Sequence, residues 1–320
     1  MNVLITGATG FIGKHLAASL SKTYPVRCLV RKTSDIKELR NLNVDLIYGD
    51  LLDKNSLAPA LDGIDLIFHL AAEVYSKKGA DYYNTNILGT KNLLEVSRGK
   101  NLKKIVYLSS VAVYKPVKEK KLLTEESECG PITVYGKSKF AAETMVKQSN
   151  IPFVIVRAPV IYGPYQPPII NNFFLNALKR KKVYIVGDGH NLRSICFVKN
   201  LTDGLSQLIN KSDTEGKTYL LSDDTAYTFN EITATISKVS DLNIRIVYLP
   251  SMLAGISWQI YRLMGNFFNL YFVGLYGIKT MQLHLGCDIT KAAKEMAYKP
   301  SISLEAGIKH TVEWIENGSL

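Results

Sequence analysis

The chain is poor in cysteine and short of acid relative to base, and it has no apolar run long enough to cross a bilayer. Its four cysteines, Cys28, Cys129, Cys196 and Cys287, are scattered and form no Cys-x-x-Cys pair. That spacing argues against a disulfide framework and a bound metal, and fits a reduced, cytoplasmic compartment. The N-terminus has no basic segment followed by an apolar one, so no signal peptide is expected. Acidic residues number 28 against 39 Lys and Arg, a net charge of +11. Basic clusters lie at Lys103-Lys104, Lys118–Lys121 and Lys179–Lys182. Solvated helix ends and loops account for most such clusters; the functional alternatives are an anionic ligand or an anionic membrane surface. No recognition helix or aromatic-basic platform accompanies them, so nucleic acid is not an expected partner. In the most apolar segment, Leu253–Ile278, Arg262 is the only charge. Its charge-free part falls short of the ~20 apolar residues that a spanning helix needs, and Gly265, Asn266, Asn269, Gly274 and Gly277 interrupt it. A buried or dimer-facing element is the expectation, with peripheral membrane contact as the alternative.

What is present is globular: 320 residues, 47% hydrophobic and 21% charged, enough for substantial cores. Strand-like runs recur at Val26–Val30, Val44–Tyr48, Leu66–Leu70, Ile105–Leu108 and Phe153–Val156, with helical stretches such as Asn84–Arg98 and Tyr135–Gln148 between them. Alternating strand and helix with near-continuous apolar strands predicts an α/β fold, a doubly wound parallel sheet of Rossmann type. The pattern weakens after residue 165. Residues 1–165 therefore read as a dinucleotide-binding domain, rejoined by segments near 194–222. Residues 166–320 read mainly as a smaller, partly interleaved substrate-binding domain.

Two motifs carry chemistry. Residues 2–6 form a short buried strand, and Gly7-Ala-Thr-Gly10-Phe-Ile-Gly13 turns from it into a helix. Glycines let the backbone approach a pyrophosphate, and the helix N-terminus offers unpaired N–H groups and a favourable dipole. Further on, Tyr135-Gly-Lys-Ser-Lys139 puts a tyrosine and a lysine one turn apart on a helix face. An ammonium beside a phenol is expected to lower the phenol's pKa and fit it for proton exchange during hydride transfer.

With these motifs the chain resembles the extended short-chain dehydrogenase/reductase superfamily, in the branch of NAD(P)-dependent nucleotide-sugar epimerases and dehydratases. The resemblance runs through Thr6-Gly7-Ala-Thr-Gly10-Phe-Ile-Gly13, Gly49-Asp50-Leu51, His69-Leu-Ala71-Ala72, Asn86-Ile-Leu-Gly89-Thr90 and Ser109-Ser110-Val-Ala-Val-Tyr114. It continues through Tyr135-Gly-Lys-Ser-Lys139, Arg157-Ala-Pro159 and Gly187-Asp-Gly189-His-Asn-Leu-Arg193. It implies that Gly7, Gly10, Phe11, Ile12 and Gly13 line the pyrophosphate, that Asp50 and Leu51 contact adenine, and that Ala71 and Ala72 pass under the nicotinamide ribose. It gives Ser110 a hydrogen bond to the reacting oxygen, Tyr135 the acid/base role, Lys139 the ribose, and Arg193 the diphosphate of a sugar nucleotide. It also implies a homodimer through a two-helix face.

Departures from the family pattern narrow the chemistry. Dehydratases of the family place Asp-Glu directly after the catalytic Ser/Thr; here Val111 and Ala112 stand there, so dehydration is not expected. Redox or epimerisation at one carbon remains. The second strand ends in Leu29-Val30-Arg31-Lys32 where an acidic residue would hold a ribose 2′-hydroxyl. Arg31 and Lys32 favour NADP, with NAD as the alternative. The substrate reading is a nucleotide-diphosphate sugar, reduced or epimerised at C4. The runner-up is an apolar substrate, as for a hydroxysteroid dehydrogenase or dihydroflavonol reductase.

Overall fold

A computed structural model describes residues 1–117 and 119–318; Lys118 of the Lys118–Lys121 cluster lies outside the described residues. The strands are β1 (Val3–Thr6), β2 (Val26–Val30), β3 (Asp45–Tyr48), β4 (Leu66–His69), β5 (Lys104–Ser110), β6 (Phe153–Ala158), β7 (Val160–Tyr162), β8 (Lys182–Val186), β9 (Ile195–Phe197), β10 (Lys217–Leu220) and β11 (Arg245–Leu249). Seven of them make one sheet in the order β10-β6-β5-β4-β1-β2-β3, with every pairing parallel. This is the doubly wound Rossmann-type sheet that the strand–helix alternation predicts.

Helices cover both faces. They are α1 (Phe11–Leu20), α2 (Lys37–Arg40), α3 (Lys54–Ala60), α4 (Gly79–Tyr82), α5 (Gly89–Ser97), α6 (Val134–Lys147), α7 (Pro168–Arg180), α8 (Val198–Gln207), α9 (Phe229–Ser240), α10 (Met252–Phe268), α11 (Val273–Thr280), α12 (Thr290–Met296) and α13 (Leu304–Glu316). Successive strand side chains alternate between the faces, as the pleat requires. Val3, Ile5, Phe68 and Val106 pack with Leu16 of α1 and Leu201 and Leu205 of α8. Leu4, Ile67, Ile105 and Tyr107 pack on the other side with Leu57 of α3, Leu93 of α5 and Val146 of α6. A third core joins Phe174 of α7, Ile185 of β8, Ile236 of α9 and Ile308 of α13. It is bordered by two short parallel ladders, β8–β11 and β7–β9.

The strand order reverses between β1 and β4. In an open parallel sheet, the carboxyl ends of such a pair flank the ligand crevice. Gly7 follows β1 there, and Ala71 follows β4.

Two elements differ from their sequence reading. The helix expected over Asn84–Arg98 is present but begins earlier and changes pitch: α4 runs directly into a π-helical stretch at Tyr83–Leu88, and α5 continues it from Gly89 to Ser97. The apolar segment Leu253–Ile278 is not buried throughout. Helix α10 hides Ala254, Ser257 and Tyr261 but exposes Met252, Ile256, Ile260, Leu263 and Phe267. The buried reading fails because these apolar residues outnumber what one inward helix face can accommodate.

Candidate active site

The turn after β1 is built without room for side chains. Gly7 sits at φ +75, where a Cβ would come within 2.7 Å of the Ala71 nitrogen. At Gly13 a Cβ would lie 2.1 Å from the Gly7 carbonyl oxygen. Gly10 caps α1 in an extended conformation and supplies no side-chain hydrogen bond, so the first amides of the helix stay available to an anion. A dinucleotide pyrophosphate fits this construction.

A hydrogen-bond chain locks the two strand ends beside the turn. Thr90 Oγ1 donates to the Asn86 carbonyl (2.7 Å), so it accepts from His69 Nε2 (2.9 Å). His69 Nδ1 is then the acceptor for Thr6 Oγ1 (2.7 Å), and Thr6 Oγ1 in turn accepts the Ala71 N–H (3.4 Å). Burial, helped by the nearby Lys139 charge, pushes the His69 pKa down to about 3, so the neutral ring that this chain requires is the one present. Asn86 makes a second tie. Its Oδ1 accepts from Glu73 N (2.7 Å), and its Nδ2 donates to Ser138 Oγ (2.8 Å), joining the loop after β4 to α6. The π turn holds Asn86, which fits the association of such turns with functional sites. Sequence reading placed Thr6, His69, Asn86 and Thr90 within motifs but gave them no role. Their signal is only that they are polar residues at apolar-looking positions.

One cavity of about 840 Å³ runs from the glycine turn to the third core. Gly7, Gly10, Phe11, Ile12, Gly13, Ala72, Ser110, Tyr135, Lys139 and Arg193 all line it. Arg31, Lys32, Asp50, Leu51 and Ala71 do not. Arg31 and Lys32 are exposed just beyond β2, whose Leu29 pairs with Thr6. Asp50 Oδ1 is turned onto the Leu52 N–H (2.9 Å), Leu51 is buried with its carbonyl on Asn92 Nδ2 (2.9 Å), and Ala71 backs onto Gly7. These five belong to the same carboxyl edge of the sheet but not to the cavity wall.

Ser110 ends β5, with its hydroxyl accepting the Ala112 N–H (3.2 Å). Thr133 caps α6 through Gly136 N (3.0 Å), which sets Tyr135 and Lys139 on the first turns facing the cavity. Burial pushes the Tyr135 phenol up to about 12, against a hydrogen bond from Ser110 that draws it down. This corrects the expected lowering: desolvation, with a smaller contribution from Tyr276, outweighs the Ser110 hydrogen bond. The ammonium is itself desolvated, its pKa pushed down to about 7 by burial, with Glu143 opposing. Lys139 Nζ lies over the Tyr107 ring, 4.1 Å from its centre. One turn on, Glu143 forms a buried bidentate pair with Arg157 of β6 (3.0 and 2.7 Å), which fastens α6 to the sheet.

Arg193 is buried in the cavity wall. Its Nη2 donates to the Thr280 carbonyl (2.6 Å), and its guanidinium lies 4.8 Å from the centre of the Phe229 ring. Its Nε has no hydrogen-bond partner, and among the described residues no ion pair to a carboxylate is found. Burial pushes its pKa down to about 10, which leaves it charged at neutral pH. Beyond Ser110, Val111 and Ala112 also line the cavity, so apolar atoms occupy the place of the dehydratase acids. Much of the remaining wall is aliphatic and aromatic, including Phe173, Phe229, Tyr261 and Tyr276.

The doubly wound sheet with its glycine turn is that of the extended short-chain dehydrogenase/reductase class. Residues 3–222 match the NAD dependent epimerase/dehydratase family, and the chain belongs to that family. It is 31% identical over 99% of its length to an uncharacterised protein of Sinorhizobium fredii, covering 96% of that protein. It is 25% identical to the decarboxylating sterol-4-alpha-carboxylate 3-dehydrogenase of Candida albicans, covering 98% of this chain and 97% of the other. It is 27% identical to the dTDP-glucose 4,6-dehydratase of Streptomyces niveus, covering 98% and 92%. Among solved structures, UDP-glucuronic acid 4-epimerase from Bacillus cereus in complex with NAD superposes with a TM-score of 0.80 at 24% identity, covering 99% of both chains. Because dehydratases stand among these relatives, family membership does not support the expected exclusion of dehydration.

Proposed function

We propose that the protein reduces or epimerises C4 of a nucleotide-diphosphate sugar, with Tyr135 as acid/base. Arg193 carries this reading. A buried guanidinium with a free Nε and no carboxylate partner is costly, and a doubly anionic diphosphate would both neutralise it and accept its hydrogen bond. The glycine turn and the uncapped α1 would hold the dinucleotide, and Lys139 its nicotinamide ribose. Bound nicotinamide would supply or accept the hydride. Ser110 would hydrogen-bond the reacting oxygen beside Tyr135. A phenol pushed up to about 12 is protonated at neutral pH, so it is an acid by default, suited to protonating a carbonyl oxygen as hydride reaches its carbon. Val111 and Ala112 offer no group to remove and return protons during loss of water, so dehydration is not part of the proposal.

Residues 1–165, with the returning 194–222 segment, would bind the dinucleotide, and 166–320 mainly the substrate. Arg31 and Lys32, exposed beyond β2, would accept a 2′-phosphate, which supports NADP; loss of NADP preference in Arg31→Asp tests this. The homodimer belongs to the same reading, and sedimentation of the purified chain tests it. The second reading, an apolar substrate such as a sterol or flavonoid, draws support from the aromatic walls of the cavity. Thermal shift with UDP-, dTDP-, GDP- and CDP-sugars, sterols and flavonoids separates the two. Arg193→Ala should remove about 1.5–3 kcal/mol of nucleotide-sugar binding while leaving dinucleotide binding intact. Equal stabilisation of wild type and Arg193→Ala, or stabilisation by sterols alone, rejects the sugar reading.

A further inference from the structure

Helix α10 presents a face that none of the described residues covers. At 100° per residue, Met252, Leu263, Ile256, Phe267, Ile260 and Leu253 fall within one arc of roughly 100°. Their exposures run from 36% at Leu253 to 76% at Phe267. Gln259, Arg262 and Asn266 flank that arc on one side; Ala254, Ser257 and Tyr261 are turned inward on the other. A surface helix normally shows the reverse, with its polar face outward. A six-residue apolar stripe with a polar border has the form of an interfacial helix.

Charge identifies the occupant. No Asp or Glu occurs from Leu242 to Cys287, although Arg245, Arg262 and Lys279 lie in that stretch. Beyond the end of α10, Asn269–Tyr271 is hydrogen-bonded to the segment carrying the exposed Lys77 and Lys78, and Lys77 Nζ lies over the Phe272 ring at 5.5 Å. The one carboxylate on that segment near them, Asp81, is held by the Ser76 hydroxyl. A second copy of the chain on this face would set like charges against each other, because a two-fold interface pairs a patch with itself. An anionic surface with an apolar layer beneath it satisfies both the cations and the stripe.

We propose that the outer face of α10, with Lys77 and Lys78, docks onto an anionic lipid bilayer and lies in its interface. No helix of the described residues is long and apolar enough to cross a membrane, and at about 25 Å for its 17 residues α10 lies along the surface. The opposite side of the same unit walls the cavity, through Tyr261 of α10 and Val273, Tyr276 and Gly277 of α11. Docking thus brings the cavity within about one helix diameter, ~10 Å, of the headgroups. The Lys179–Lys182 cluster is not part of this face. Lys182 pairs with Arg245 at the start of the β8–β11 ladder, whereas α10 follows its far end.

Co-sedimentation of the full chain with vesicles tests the proposal. Vesicles of equimolar phosphatidylcholine and phosphatidylglycerol should retain it, pure phosphatidylcholine much less, and high salt should release part of it. Ile260→Asp with Phe267→Asp should abolish retention, and Lys77→Glu with Lys78→Glu should weaken it about thirtyfold or more, at roughly 1 kcal/mol per cation lost. All four side chains are exposed, so thermal unfolding and dinucleotide-induced stabilisation should match wild type; that match separates lost docking from lost fold. Equal retention on both vesicle types, or none on either, overturns the proposal. So does a wild-type dimer that Ile260→Asp with Phe267→Asp turns into monomer, since the stripe would then belong to a second copy.

Discussion

Tyr135 and Lys139 occupy the same cavity but are tuned in opposite directions by one cause, the loss of water. The phenol is held protonated and the ammonium is brought close to neutrality. Tyr135→Phe removes the transferable proton and little else. Turnover should fall to background while dinucleotide-induced thermal stabilisation persists, and wild-type rates in that variant would overturn the acid/base assignment. The lysine gives a stability signature. Its folded pKa of about 7 lies below the ordinary value of 10.5, so between these pH values the unfolded chain binds more protons than the folded one. Stability contributed by this group therefore rises from about pH 7 towards 10. Lys139→Met lacks the titration: urea denaturation should find it more stable than wild type at pH 6, with the advantage shrinking by pH 10. A difference that does not vary with pH would show that Lys139 keeps an ordinary pKa.

At the scale of elements, the turn after β1 is the most demanding piece. Gly13→Ala puts a methyl group 2.1 Å from the Gly7 carbonyl oxygen. It should cost about 1–3 kcal/mol of stability and abolish the thermal shift given by dinucleotide; an unchanged shift would mean that the turn does not hold the cofactor. This turn was legible in the sequence because its glycines, the strand before it and the helix after it agree. The parallel sheet was legible from continuous apolar runs such as Phe153–Val156, and Ser110, Tyr135, Lys139 and Arg193 from motif position. What escaped were features fixed by tertiary context. The π-helical pitch at Tyr83–Leu88 has no local sequence signal; Asn86 within it bonds Glu73 and Ser138, outside its own helix. The direction of the Tyr135 shift depends on how much water the finished cavity excludes. Helix α10 reads as core because composition records apolar residues without recording whether anything packs on them.

At the scale of the molecule, β10 matters most for what it covers. It is the outermost strand beside β6, yet it arrives only at Lys217, after α7, α8 and the short strands β7, β8 and β9 have been threaded. During synthesis, β6 therefore emerges from the ribosome with a bare row of amides and carbonyls, and stays so while about sixty further residues are added. A fragment ending at residue 165 should consequently be recovered as aggregate, and one ending at 222 in appreciably more soluble form, as centrifugation after expression would report. A soluble, monomeric 1–165 fragment would show that β6 needs no cover. The expected result means that the chain cannot be divided at its apparent midpoint: the nucleotide-binding region is sealed by a strand that comes only after the first elements of the substrate-binding region, so neither is an autonomous unit for grafting, permutation or split-enzyme design.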